Sequence, residues 1–172
     1  VDVFKEPVGV DENSEVETDG LHPYGKHRRM LEEYIQEQFD SHLILRLPGL
    51  VGPGLQKNII FDLLNDNNIE LVDSNAVFQF YPVVNLWFDI QQALQNNLSL
   101  LHLSAEPISV SEVASMGFGV EFENQISDQP PTYDMQSIHG QLFGGDRYQY
   151  SKRETLLAIR AYAQSEPKRS KG

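Results

Sequence analysis

Hydrophobic and polar positions fall along this chain in blocks of two kinds. From Tyr24 to Phe39 the apolar positions His27, Met30, Leu31, Tyr34, Ile35 and Phe39 recur at helical spacing and predict an amphipathic helix. His42–Leu47 is an apolar run of strand length between breakers, the pattern of a parallel strand buried on both faces. Lys57–Asn65 predicts a second helix with Ile59, Ile60, Leu63 and Leu64 inward, ended by Asn65-Asp66-Asn67-Asn68. Ile69–Val72 and Val77–Tyr81 read as short strands. Asn85–Gln95 reads as a third helix with Leu86, Trp87, Ile90 and Leu94 on one side, and Ser99–Leu103 as another strand. Ser109 and Ser151 are each followed three residues on by a glutamate, Glu112 and Glu154. These are capping boxes, predicted to open helices running to Met116 and Ala163. Val1–Phe4 reads as the end of a strand. Residues 5–23 read as an irregular acidic loop, 117–135 as irregular, and Gln136–Phe143 as a weak helix.

Strands that alternate with helices predict an α/β fold. No internal repeat and no linker interrupts the pattern, so residues 1–172 are expected to form a single unit. Charge narrows the partners. The net charge is −12 at pH 7, which argues against nucleic acid and against an anionic membrane surface. Seven acids lie in the first twenty residues: Asp2, Glu6, Asp11, Glu12, Glu15, Glu17 and Asp19. Like charges so crowded predict a solvated loop. The chain has no cysteine, which excludes disulfides, thiolate catalysis and cysteine-bound zinc. The five histidines show no metal spacing, so no metal is expected. No apolar run reaches the roughly 18 residues of a membrane helix. No secretory signal is visible at Val1, and a cytoplasmic location is the expectation. The basic tail Glu166–Gly172 is expected to fray.

The candidate chemistry lies in His22-Pro23-Tyr24-Gly25-Lys26-His27-Arg28, where a tyrosine opens the first helix with a cation one turn on. Leu45-Arg46-Leu47-Pro48-Gly49-Leu50-Val51-Gly52-Pro53-Gly54 follows, then Phe78-Gln79-Phe80-Tyr81-Pro82-Val83-Val84-Asn85 and Leu101-His102-Leu103-Ser104-Ala105-Glu106-Pro107-Ile108-Ser109-Val110. With Val1-Asp2-Val3-Phe4 these stretches, in this order, resemble the C-terminal half of extended short-chain dehydrogenase/reductases, the NAD-dependent epimerase/dehydratase family. The likeness covers about residues 1–115. It implies the C-terminal part of a Rossmann-like parallel-sheet fold plus a small substrate-binding lobe. Residues 1–54 would end the sheet and carry the catalytic helix, and residues 55–172 would form mostly the substrate lobe and C-terminal helices. The glycine-rich dinucleotide turn and the family's catalytic Ser/Thr would precede Val1, which implies a C-terminal piece of a larger protein. The run Gly49-x-x-Gly52-x-Gly54 does not replace that turn, because its spacing is wrong and Pro53 removes a donor.

The resemblance implies roles residue by residue. Tyr24 would move the proton of a substrate hydroxyl. A phenol titrates near about 10 and is a poor base until a neighbouring cation favours its ionised form. The family places a lysine one turn on; here that position is Arg28, which keeps the charge but changes its shape. Tyr24, Arg28, Pro48 and Leu50 would border a cofactor, NAD or NADP, held mostly outside this chain. Gly49, Lys57 and Phe78 would border the substrate. Gly49 stands where relatives have an asparagine, and Phe78 where they have an arginine for the nucleotide diphosphate. The implied activity is an NAD(P)-dependent epimerase, dehydratase or oxidoreductase of a sugar or nucleotide sugar, inactive in this piece alone. A homodimer through helix 24–39 is implied as well. The departures at Arg28, Gly49 and Phe78 leave open a second reading, a non-catalytic relative acting as a binding or assembly module.

Overall fold

The computed structural model describes residues 2–168. Among these residues, eight short strands are interspersed with five α-helices. The central pairing is parallel. Strand β2 (Ile44–Arg46) runs beside β6 (Leu100–His102), with Arg46 in register with His102. Strand β3 (Gly49–Val51) runs beside β5 (Phe80–Pro82). Helix α3 (Leu86–Gln95) leads from β5 of one parallel pair to β6 of the other. No helix among the described residues is long and apolar enough to cross a membrane.

Two apolar clusters hold the chain together. One gathers Val51, Phe80 and Ile108 with Ile59, Ile60 and Leu64 of α2 (Ile59–Asn65) and Leu156, Ile159 and Tyr162 of α5 (Lys152–Ser165). The other joins Tyr81, Ala93, Leu101 and Leu103 around the β2–β6 pair. Both expected capping boxes form, at Ser109 before α4 (Val110–Glu112) and at Ser151 before α5. Beyond α4 the helix widens into a π-type turn over Val113–Phe118, against which α5 packs.

Several expectations are corrected. Val1 lies outside the described residues, and Asp2 and Val3 form a turn rather than a strand end. Val3 and Phe4 are buried by side-chain contact, with the Phe4 ring 5.7 Å from that of His102. The acidic segment is not all loop. Strand β1 (Val8–Val10) pairs in parallel with β8 (Asp134–Met135), which lies in the stretch expected to be irregular. Glu12 is not solvated like its acidic neighbours, because it accepts hydrogen bonds from His102 N, Ser137 Oγ and Ile138 N. Ile69–Leu71 is a 3₁₀ turn, not a strand. The weak helix of residues 136–143 shrinks to a 3₁₀ turn over Gly140–Phe143. The predicted strand Val77–Tyr81 breaks in two. Strand β4 (Val77–Phe78) runs antiparallel to β7 (Ile108–Ser109), and β5 resumes after Gln79 in another ladder.

The two amphipathic helices form where expected, and much of their apolar face is exposed. In α1 (Pro23–Gln38) the buried residues are Gly25 and Glu32, while Met30, Leu31, Tyr34 and, at its C-cap, Phe39 are exposed. In α3 Asp89 and Ala93 are buried, while Trp87 and Leu94 are exposed. The Asp89 carboxylate accounts for part of the α3 arrangement. It accepts from Tyr81 Oη at 2.5 Å and from Tyr150 Oη at 2.9 Å, so α3 is fixed by a polar tie. Burial raises the Asp89 carboxyl above its ordinary range, against the two tyrosine hydrogen bonds that favour its charge.

Candidate functional site

The site begins at the entrance of α1. Pro23 occupies the first helical turn, where its missing N–H costs nothing, and His22 Nδ1 caps the helix by accepting from Tyr24 N at 3.2 Å. Gly25 seats this end on the Asp2 turn: a Cβ there would lie 2.0 Å from the Asp2 carbonyl oxygen. From that seat Tyr24, Arg28 and Glu32 follow at successive helical turns and line one chamber of about 440 Å³.

Arg28 Nη2 donates to Tyr24 Oη at 2.6 Å, and the guanidinium carbon sits 4.9 Å from the tyrosine ring centre. The hydrogen bond to Tyr24 raises the Arg28 pKa further above its already high value. The pair is therefore a fixed positive charge held against a phenolic oxygen. Arg28 makes no ion pair with Glu32. Arg29 does, at 3.1 Å, and it also pairs with Glu33 at 3.0 Å.

Behind the pair runs a buried polar line. Arg46 donates from Nε and Nη2 to the two oxygens of Glu32, at 2.9 and 2.8 Å. Burial pushes the Glu32 carboxyl up, but the hydrogen bonds and charges of Arg46 and Arg29 outweigh it and hold the group below its ordinary range. Arg46 Nη1 meets His102 Nε2 at 3.1 Å. Burial pushes His102 down to about 4 against the upward pull of Glu12, and Arg46 adds to the fall. The ring is thus neutral near pH 7. An arginine can only donate, so Nε2 accepts and the ring proton sits on Nδ1, donated to the Gln136 carbonyl at 3.0 Å.

Tyr24, Arg28, Pro48, Gly49, Leu50 and Lys57 all border this chamber. Phe78 borders an adjoining chamber of about 360 Å³. Gly49, Pro48 and Asp2 line both. Gly49 offers no side-chain role: a Cβ there would stand 2.9 Å from the Gln79 carbonyl oxygen and 3.0 Å from the Phe80 ring. Sequence reasoning missed Asp2, Glu32, Asn58 and Tyr133 as lining residues. Glu32 carried a signal, its position two turns beyond Tyr24; Tyr133, in an irregular stretch, carried none.

No family model matches this chain, and no curated protein matches it by sequence. Solved structures do match in fold. A UDP-galactose 4-epimerase superposes with a TM-score of 0.65 at 13% identity, over 94% of this chain and 59% of its own. The UDP-glucuronic acid 4-epimerase of Bacillus cereus, in complex with NAD, gives 0.64 at 17% identity, over 95% of this chain and 58% of its own. A dTDP-4-dehydrorhamnose reductase from Clostridium acetobutylicum gives 0.66 at 18%, over 94% of this chain and 62% of its own. The fold is thus α/β and Rossmann-like, and it is partial, since this chain spans about three-fifths of the length of those structures. The structures it is similar to are nucleotide-sugar epimerases and reductases, some of them bound to NAD or NADPH.

Proposed function

We propose that this chain is the substrate-side part of an NAD(P)-dependent epimerase, dehydratase or oxidoreductase of a sugar or nucleotide sugar, with Tyr24 as its proton-transfer group. The observation that carries the reading is the 2.6 Å hydrogen bond from Arg28 to Tyr24 Oη at the edge of an open chamber. A cation donating to a phenolic oxygen favours the charge that oxygen must carry when it takes a proton. Tyr24 takes the proton of the substrate hydroxyl, and Arg28 keeps the oxygen charge-balanced while it does so. The chamber suits part of a nicotinamide cofactor, because Arg28 commits one of its donors to Tyr24 and keeps the others for ribose oxygens. Tyr24 and Arg28 would hold that end, with Pro48 and Leu50 as walls. When bound, the cofactor supplies the hydride acceptor and donor. On this reading the dinucleotide turn belongs to sequence outside this chain, residues 1–54 end the Rossmann-like sheet and carry the catalytic helix, and residues 55–172 form mostly the substrate lobe and C-terminal helices.

The exposed Met30, Leu31 and Tyr34 of α1, with Phe39 at its C-cap, favour a second element of the reading, self-association through that helix. An assembly module without chemistry would share this surface, so the decisive test is chemical. Tyr24→Phe in the full-length protein is expected to lower conversion of the sugar substrate, followed by chromatography of the product with NAD(P) present, by at least about 10²-fold with folding unchanged. Equal turnover by wild type and variant would remove Tyr24 from the mechanism. No turnover by the wild type over a panel of sugars and nucleotide sugars would favour the assembly reading.

A further inference from the structure

The Phe78 chamber differs in chemistry from the Tyr24 chamber beside it. Its walls are Leu47, Pro48, Ile59, Phe78, Phe80 and Tyr133. The Phe78 ring lies 5.4 Å from that of Tyr133 and 6.3 Å from that of Phe80, so three aromatic rings adjoin along the wall. Among the described residues one charged side chain lines this chamber, Asp2, and its charge is negative.

The two amides in the wall are already committed. Gln79 Nε2 donates to the carbonyls of Ala105 and Met135, at 2.6 and 2.8 Å, and its Oε1 accepts from Met135 N at 2.7 Å. Asn58 Oδ1 accepts from Ile60 N and Phe61 N, and its Nδ2 donates to the Leu50 carbonyl. The start of α2 therefore has no free N–H at those two positions. A nucleoside diphosphate is held by cations or by unpaired backbone N–H groups; among the described residues the Phe78 wall carries no cation, and the Ile60 and Phe61 N–H groups are already bonded to Asn58. Lys57 lines only the other chamber. The net charge of −12 adds a field of the wrong sign for an anion.

We infer that the Phe78 chamber receives an uncharged aromatic or apolar group joined to the reacting sugar or alcohol, in place of a nucleoside diphosphate. The inference rests on reading the Tyr24 chamber as the reaction centre. Pro48 and Gly49 wall both chambers, so one ligand can lie across them with its polar end at Tyr24 and its apolar end at Phe78. The Asp2 carboxylate, at the junction, accepts from a ligand hydroxyl and repels phosphate.

The test is a calorimetric titration of the full-length protein with phenyl β-glucoside and, separately, with UDP-glucose. The neutral glycoside is expected to bind, and Phe78→Ala to weaken it by roughly tenfold, as loss of one aromatic contact predicts. UDP-glucose is expected to bind more weakly than the glycoside. Phe78→Arg is expected to reverse the order by placing a cation in the wall. Retention of the wild-type unfolding midpoint shows that each variant still folds. Tighter binding of UDP-glucose by the unaltered chain would overturn the inference, as would no binding of the glycoside. The titration needs no turnover, so a silent Tyr24 would sink the proton-transfer reading while this result still stood or fell by itself.

Discussion

Arg46 is the residue on which most of the site's geometry converges. It holds both oxygens of Glu32, reaches His102, and places its guanidinium carbon 5.1 Å from the Phe4 ring centre. Arg46→Ala leaves a buried carboxylate short of its main partner, and about 3 kcal/mol of stability should be lost in urea unfolding. Exchanging both members together, Glu32→Leu with Arg46→Met, should restore most of that loss, because well-packed apolar residues replace a buried ion pair at little cost. His102 sets a pH dependence. Its folded pKa of about 4 lies below its ordinary 6.5, so the unfolded chain binds a proton that the folded chain refuses. Stability is full above 6.5 and falls as pH drops toward about 4, by up to about 1.4 kcal/mol per unit from this one group. Glu32, also lowered, withdraws its contribution only at the acid end of that range. Urea midpoints at pH 7.5 and pH 5, on wild type and His102→Gln, measure the effect; an equal pH dependence in both would refute it. Tyr24 and Arg28 were legible because one helical turn fixes their spacing. The Glu32–Arg46–His102 line was not, because its partners are brought together by the register of β2 on β6, which no local pattern encodes.

At the scale of elements, the polar residues decide where apolar patterns end. The run Val77–Tyr81 has the composition of one strand, yet Gln79 faces inward with three buried hydrogen bonds and the chain changes ladder around it. Gln79→Leu has nearly the right volume but leaves Met135 N and the Ala105 and Met135 carbonyls without this partner. At about 1–3 kcal/mol for each stranded buried group, the variant should lose at least about 2 kcal/mol in thermal or urea unfolding. A loss below about half of that would mean the loop after β8 rearranges to satisfy itself. Alternation predicts a strand and is blind to an interior amide that binds carbonyls on two other segments. The capping boxes at Ser109 and Ser151 were legible for the converse reason, since donor, acceptor and helix start all lie within four residues.

For the whole molecule, much of the apolar surface of α1 and α3 is exposed: Met30, Leu31, Tyr34, Trp87 and Leu94. A helical period shows that a face is apolar but not what covers it. On the reading above, a second copy covers α1. Leu31→Glu with Tyr34→Glu should then yield a monomer in sedimentation where the unaltered chain is a dimer, with the Tyr24–Arg28 side untouched; a monomeric unaltered chain would refute the contact. The pairing of β1 with β8 carries a different consequence, one of time. Residues 8–10 find their strand partner only at 134–135, and Glu12 caps Ser137 across 125 residues. On a ribosome β1 therefore has no ladder partner until residues 134–135 have emerged, and closing so long a loop makes its pairing a slow, late event in folding.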